Sequence, residues 1–374
     1  LNNINNSESN IQISAKQALM LVITYVISTA DVFLPAFVAQ EAKADAWISV
    51  IIGSLSSLII VNIFITLALK YPNKTIVQYS CDILGKPLGK IIGLSYVYLF
   101  LMISWAVTRE LEEVFVIAFN PESPILVYGI MALIVAAYAL MHGLEVIARI
   151  NEILLPIGLI VLLFIAIINI PILDMTHYLP ILYDGIIPPL KGAFLIQTWI
   201  VEIVIILQIM PFVKEKQKIR RYMNISIIII SIGLMAGISI IAVFGPSLSG
   251  KLLLPALEYV RIASFGPYIK NLDISVMVVW TSGIFIKIAL SFYAGTLALS
   301  QLLGIKSYKS LIMPVGVLIV VFASASSRML IEILHFLKFD MPFYAVVMTL
   351  IIPLLLLIVS KFRKTDNSKL NTSE

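Results

Sequence analysis

Three charged residues stand where charges are expensive. Asp31, Glu202 and Lys287 each interrupt a long apolar run. Asp31 lies about 16 residues, or roughly 24 Å, from the near end of its run at 1.5 Å per residue. Glu202 and Lys287 lie about 12 and 13 residues from the far ends of theirs, roughly 18 and 20 Å. An isolated charge in the middle of a bilayer costs about 2.5–3.5 kcal/mol or more, so each should face the protein interior and have a partner. Glu202 and Lys287 are opposite in sign and similar in depth, so a pair between their two spans is the first expectation. Such a pair can be a clamp between helices, a proton or cation relay, or an anchor for a charged ligand. A deprotonated Lys287 could stand in for a sodium ion, because buried lysines titrate readily. Ser28, Thr29 and Ala30 directly precede Asp31, and Pro35 follows it. Proline removes a helical donor and clashes with the carbonyl four residues back, here that of Asp31. A break at this point would free backbone groups for a ligand.

Other charges are less deep. TRELEEV places Arg109, Glu110, Glu112 and Glu113 together, with Arg109 and Glu113 as i,i+4 neighbours. They read either as a solvated helix end with local ion pairs or as a charged outer gate. Deeper on the same run, Tyr96 and Trp105 either pack or face the centre. Glu145, Arg149 and Glu152 form a surface cluster or a latch, and Gly233 and Gly237 form a close-packing GxxxG pair. Enzyme signals fail. GKPLGKI is too short for a phosphate loop and lacks Ser/Thr after its lysine. His142, His177 and His335 are scattered, and no nucleophile–base constellation is visible. No catalytic, metal or cofactor site is expected.

The elements that position these residues are membrane helices. Apolar residues make up 60% of the 374, charged residues 13%, and the mean hydropathy is +1.03. Soluble domains are nearer 45–50% apolar and about 25% charged, so the chain is a polytopic membrane protein. The single cysteine, Cys81, excludes an internal disulfide and a CxxC site. The net charge of +5 comes from clusters between apolar runs, which reflects membrane orientation and not nucleic-acid binding.

Ten spans of about 20 residues are expected, over 15–41, 46–70, 90–118, 124–141, 151–170, 190–212, 222–245, 274–299, 311–327 and 341–360. With both termini cytoplasmic, the inner segments carry more than twice as many Lys and Arg as the outer ones. The outer loops 171–189 and 246–273 are half apolar and are expected to form short helices over a vestibule. Residues 1–13 read as a polar cytoplasmic tail, 14–362 as the membrane domain, and 363–374 as a second cytoplasmic tail. Ten spans divide into two halves of five, about 14–170 and 186–360. An odd number per half inverts the second, as in many secondary transporters whose first helix in each half is broken at the midplane. Spans 1 and 6 fit that plan. Gln197, Thr198 and Glu202 lie in the centre of span 6.

Phrases in fixed order add a resemblance. ISAKQALMLVI opens span 1, and FLPAFV follows Asp31. ALKYPNKTIVQYSCDILGKPLGKIIG joins spans 2 and 3, and HGLEVIARINEILLP leads into span 5. YLPILYDGIIPPLKGAF leads into span 6, which continues through Glu202 to MPF, and Asp273 precedes a Trp-containing span 8. From about 12 to 362 the chain resembles the B subunit of bacterial spore germinant receptors. These are the endospore germination permeases of the amino acid–polyamine–organocation superfamily. The resemblance implies a LeuT-type fold with broken helices 1 and 6, location in the spore inner membrane, and assembly with an A subunit and a lipoprotein C subunit. It also implies recognition of a nutrient, often an amino acid, that triggers germination.

On this reading the ligand-binding candidates are Ser28, Thr29, Ala30, Asp31, Tyr96, Thr198 and Glu202. Glu202 and Lys287 are the coupling or ion-pair candidates, and Arg109 and Glu113 the outer gate. Free N–H groups near Ser28–Asp31 would take a carboxylate, and Asp31 an ammonium. The alternatives are an amino acid/proton symporter and an ion-conducting or structural subunit of the receptor complex.

Overall fold

The computed structural model describes residues 12–118, 124–262, 272–325 and 330–362. The residues expected as polar tails lie outside these but for 12 and 13, as does part of the 246–273 loop. The chain is all-helical: α1 (Ala15–Ala42), α2 (Ala46–Lys70), α3 (Ile76–Leu84), α4 (Lys86–Ala118), α5 (Leu126–His142), α6 (Leu144–Asn169), α7 (Ile187–Ile200), α8 (Ile206–Ile209), α9 (Ile219–Ile238), α10 (Ile240–Ser249), α11 (Pro255–Arg261), α12 (Leu272–Leu303), α13 (Ile312–Ala325), α14 (Leu330–His335), α15 (Met341–Val346) and α16 (Ile352–Phe362).

Eight helical stretches among the described residues are long and apolar enough to cross a membrane. One of them, Ala15–Lys70, holds two helices, α1 and α2, and the shorter α5 is also apolar. The order is that of the ten expected spans, and residues 326–327 of the ninth lie outside the described residues.

Burial sorts the helices into a centre and a periphery. α1 is buried on nearly every face, packed by α6, α7, α9 and α12. A helix apolar all round belongs in such a place. α6 instead exposes Ile153, Ile157, Ile160 and Leu163, the surface that lipid requires. α12 lies along α4 and α6.

Local chemistry sets the ends. Ser14 and Gln17 form a capping box at α1, and Thr75 and Gln78 form another at α3. Gly143, at φ 93°, makes the only break between α5 and α6. The segment LEVIAR, expected as a loop, is therefore the first part of α6. Its Glu152 reaches α1, accepting from Gln17 Nε2 at 3.1 Å, while Arg149 pairs with Glu145 at 2.5 Å. Ile13 bridges to Val213, joining the start of α1 to the end of the sixth span. The expected seventh span divides at Ser239 into α9 and α10. The 171–189 segment includes the 3-10 turns Ile170–Ile172, which continues from α6, and Met175–Tyr178, which packs on α10.

One expectation is corrected here. α1 is helical from Ala15 to Ala42 straight through Pro35. Its sequence contains no glycine, so no residue offers a cheap route out of helical φ/ψ, and neighbouring helices hold it from several sides. The sixth span does depart from α geometry. α7 ends at Ile200, Val201–Ile205 is a 3-10 stretch, and α8 is a single turn before Met210–Phe212. A mid-helix 3-10 segment marks a hinge or strain, and Glu202 sits within it.

Candidate functional site: a buried ion pair beside an apolar cavity

Lys287 and Glu202 meet in the interior. Lys287 Nζ donates to Glu202 Oε2 at 2.5 Å and to Thr29 Oγ1 at 2.6 Å. It also lies 5.1 Å from the centre of the Tyr25 ring, whose hydroxyl is 2.8 Å from Ser291 Oγ. Lys287 and Glu202 are 1% and 5% exposed, so bulk solvent hardly reaches either charge. Three elements converge: Thr29 and Tyr25 from α1, Glu202 from the 3-10 stretch, and Lys287 from α12. Glu110 of α4 is buried as well, at 3% exposure, and its Oε2 has no hydrogen-bond partner among the described residues.

An adjoining face of α1 borders a cavity of about 120 Å³. On the same measure one water needs roughly 10–15 Å³, so the space holds a small molecule or several waters. Its walls are leucines of α6 (Leu154, Leu155, Leu159, Leu162), with Leu257 of α11 and Met277 of α12. Into these apolar walls come Ser28, Asp31 and Trp280. Ser28 Oγ, Asp31 Oδ1 and Trp280 Nε1 are all buried atoms without a hydrogen-bond partner among the described residues.

Two glycines make room here. A Cβ on Gly283 would lie 3.0 Å from Ser28 Cβ, and one on Gly237 would lie 2.8 Å from Asp31 Oδ1. The GxxxG face of α9 thus packs against α1 at Ile27 and Asp31.

The structure divides the expected residues. Ser28 and Asp31 border the cavity, and Thr29 turns to Lys287. Ala30 is fully buried. Because α1 is unbroken, the backbone N–H groups of Ser28–Asp31 stay inside the helix and are not free for a carboxylate. Thr198 Oγ1 donates to the Phe194 carbonyl at 3.0 Å and lines, with Glu202, a separate void of about 10 Å³. Tyr96 lies in neither space; its hydroxyl donates to the Met348 carbonyl at 2.7 Å, in a π-helical stretch, Val347–Ile351. Arg109 and Glu113 are 2.5 Å apart, with Glu112 at 3.3 Å from Arg109. They are not a solvated helix end: all three are buried, and Glu112 lies against Gly129 of α5.

Known proteins share this architecture. The family model described as spore germination protein matches residues 12–327. The chain belongs to the spore germination protein family. It is 26% identical over 361 residues to spore germination protein YndE of Bacillus subtilis (strain 168), covering 94% of this chain and 97% of that one. It is 30% identical over 280 residues to spore germination protein XB of Bacillus anthracis, covering 74% and 77%. Among solved structures it resembles MhsT in complex with L-phenylalanine, with a TM-score of 0.64, 14% identity and coverage of 94% and 98%. It also resembles the nucleobase-cation-symport-1 transporter Mhp1 in a closed conformation, with a TM-score of 0.61, 10% identity and coverage of 96% and 97%. The fold is LeuT-type, and the family and its fold neighbours are permeases and transporters, not enzymes.

Within this spore germination protein, Trp280 is the site residue that the sequence reading missed. A tryptophan in an apolar span reads as packing. The available signal was spacing: Trp280, Gly283, Ile284 and Lys287 fall on one face of α12, two turns from end to end. Asn151 was missed as well. Its Oδ1 accepts from Thr24 Oγ1 at 2.7 Å and fixes α6 to α1 below the cavity.

Proposed function

We propose that this chain is the nutrient-sensing subunit of a spore germinant receptor and that its ligand occupies the cavity between α1, α6 and α12. The observation that carries this reading is one apolar cavity bordered by three residues, Ser28, Asp31 and Trp280, each of which holds a buried polar atom with no partner among the described residues. Proteins rarely leave buried polar groups unpaired, and each such group costs about 1–3 kcal/mol. A ligand that supplies the missing partners recovers that cost. An amino acid has the matching parts: its ammonium meets Asp31, its carboxylate takes the Ser28 hydroxyl and the Trp280 N–H, and a small apolar side chain lies on the leucines. Membership of the family and the likeness to a transporter solved with L-phenylalanine support this reading. It includes location in the spore inner membrane, both termini cytoplasmic, and assembly with the receptor A subunit and lipoprotein C subunit.

The test is germination of spores whose copy of this gene carries Asp31→Asn or Trp280→Phe, across a nutrient panel, with protein levels matched. Loss of the response to one nutrient in both variants is the expected result. Unchanged responses in both would refute the site. The symporter reading draws on the Lys287–Glu202 pair and on the transport neighbours. It requires the purified chain to accumulate the same nutrient in liposomes under a proton gradient, where a sensor only binds it.

A further inference from the structure

At the end of the bundle where α1 begins, a groove of about 440 Å³ runs between α2, α9 and α16. Leu58, Ile59 and Ile63 of α2 and Leu357 of α16 give it apolar walls. Arg220 lines the same groove. Its guanidinium donates to Asn62 Oδ1 at 3.1 Å and to Thr66 Oγ1 at 2.9 Å. Both partners are neutral, and no carboxylate pairs with it among the described residues. A guanidinium has five N–H donors in a rigid fork, so the two oxygens orient it and leave its charge and further donors unspent. Arg220 is in the first turn of α9, where the helix dipole adds to the positive potential.

The surroundings reinforce the sign. The stretch from Phe212 to Arg221 holds Lys214, Lys216, Lys218 and Arg221 besides Arg220, and its one acid is Glu215. Glu215 is already engaged, accepting from the Ala15 N–H at 2.9 Å. Lys70, one turn beyond Thr66 on α2, donates to Ser360 of α16 and has no acid partner among the described residues. The groove therefore joins a cationic head to an apolar body, at the depth where headgroups meet acyl chains. Basic pockets between membrane helices take anionic headgroups.

We infer that this groove binds an anionic phospholipid, with Arg220 on the phosphate and an acyl chain along Ile59, Ile63 and Leu357. A free phosphate would satisfy Arg220 but has no use for the apolar walls. In a bilayer the open side must be covered by lipid of some kind, and the unpaired guanidinium selects the charged one.

Retention of lipid by the purified full chain, read by native mass spectrometry after incubation with equal amounts of phosphatidylglycerol and phosphatidylcholine, tests the assignment. The unaltered chain should keep phosphatidylglycerol in preference by about tenfold, the scale of one charged hydrogen-bonded contact. Arg220→Gln should remove the preference. Arg221→Gln, on the exposed face of the same turn, should keep it. Ile59→Trp, at a residue 66% exposed and so tolerant of bulk, should block the groove with Arg220 intact and lower retention, which keeps the test alive if Arg220→Gln does not fold. Equal retention of both lipids by the unaltered chain, or an unchanged preference in Arg220→Gln, would overturn the site. So would equal loss in Arg221→Gln, which would mean diffuse surface charge. Displacement of the lipid by millimolar inorganic phosphate would show a free-anion site and overturn the lipid assignment.

Discussion

Replacing Lys287 by methionine removes a charge but keeps most of the side-chain volume. At 2.5 Å, and with an effective dielectric of about 20, the gross attraction between Lys287 and Glu202 is about 6–7 kcal/mol. Burying both charges takes much of that back, so the pair contributes little net stability. Removing one partner is different, because it strands the other, and buried pairs broken in this way lose about 3–5 kcal/mol. Lys287→Met should therefore destabilise the purified protein by about 3–5 kcal/mol, measured by equilibrium unfolding in mixed micelles. Glu202→Gln should cost less, since Lys287 keeps Thr29 and the Tyr25 ring. The double variant should be more stable than Lys287→Met alone, with a coupling energy of about 2–3 kcal/mol, well above the additivity error of about 0.5 kcal/mol. If the two single effects simply add, the charges do not hold each other and the reasoning fails. Germination of the same strains separates clamp from relay. A double variant that is stable and responsive makes the pair a clamp. One that is stable and silent makes the charge part of the signal.

Gly237→Ala would put a Cβ 2.8 Å from Asp31 Oδ1. It should cost about 1–3 kcal/mol by overpacking and weaken nutrient binding, measured on the purified chain. Tyr96→Phe removes the donor to the Met348 carbonyl and should cost about 1 kcal/mol, with the nutrient dependence of germination unchanged; a shifted dependence would return Tyr96 to the ligand site. At the surface, the Ala15 N–H holds the Glu215 carboxyl below the usual carboxylate range. A lowered folded-state pKa stabilises above the unfolded value of about 4.3, and the gain is lost as pH falls through the folded value. The stability advantage of the unaltered chain over Glu215→Gln should thus be present at neutral pH and be lost as pH falls below the unfolded value and through the lower folded one. A difference that does not change with pH would refute the contact.

The charges were legible because they are rare. In runs as apolar as span 8, Lys287 has no competitor for attention, and equal depth with opposite sign named Glu202 as its partner. An all-helical, transporter-like membrane protein followed from hydropathy and span count, and the LeuT-type fold from the family resemblance. What failed were inferences from local signals about tertiary outcomes. Pro35 suggested a break in α1, but the stretch lacks glycine and is clasped by α7, α9 and α12, so the helix continues. Of the two readings of TRELEEV, solvated end or outer gate, the solvated end fails because its polarity is only local. Its burial comes from α5, which approaches through Gly129, a contact distant in sequence. Trp280 was hidden by its type, because an indole whose N–H lacks a partner cannot be told from a packed one without coordinates.

The placement of these groups on α1 bears on how a bound nutrient could be felt elsewhere. Ser28 and Thr29 are adjacent, yet one borders the cavity and the other holds Lys287. On α12, Trp280 borders the cavity two turns from Lys287. A ligand that ties Asp31 to Trp280 would fix α1 against α12, and the same two helices carry the groups that hold Lys287 to Glu202. Glu202 sits in the 3-10 stretch, the least regular part of the central helices. A change in the α1–α12 spacing would therefore be transmitted to the segment least able to resist it. The ligand can drive such a change only by the difference in its affinity for the two arrangements. A nutrient that binds tightly but equally to both would occupy the cavity and trigger nothing. The ligand set of this protein should thus divide into agonists and silent competitors that share Asp31. Ligands that compete for binding yet trigger no germination are the expected pattern, and a ligand series in which affinity alone predicts germination would argue against a two-state α1–α12 coupling.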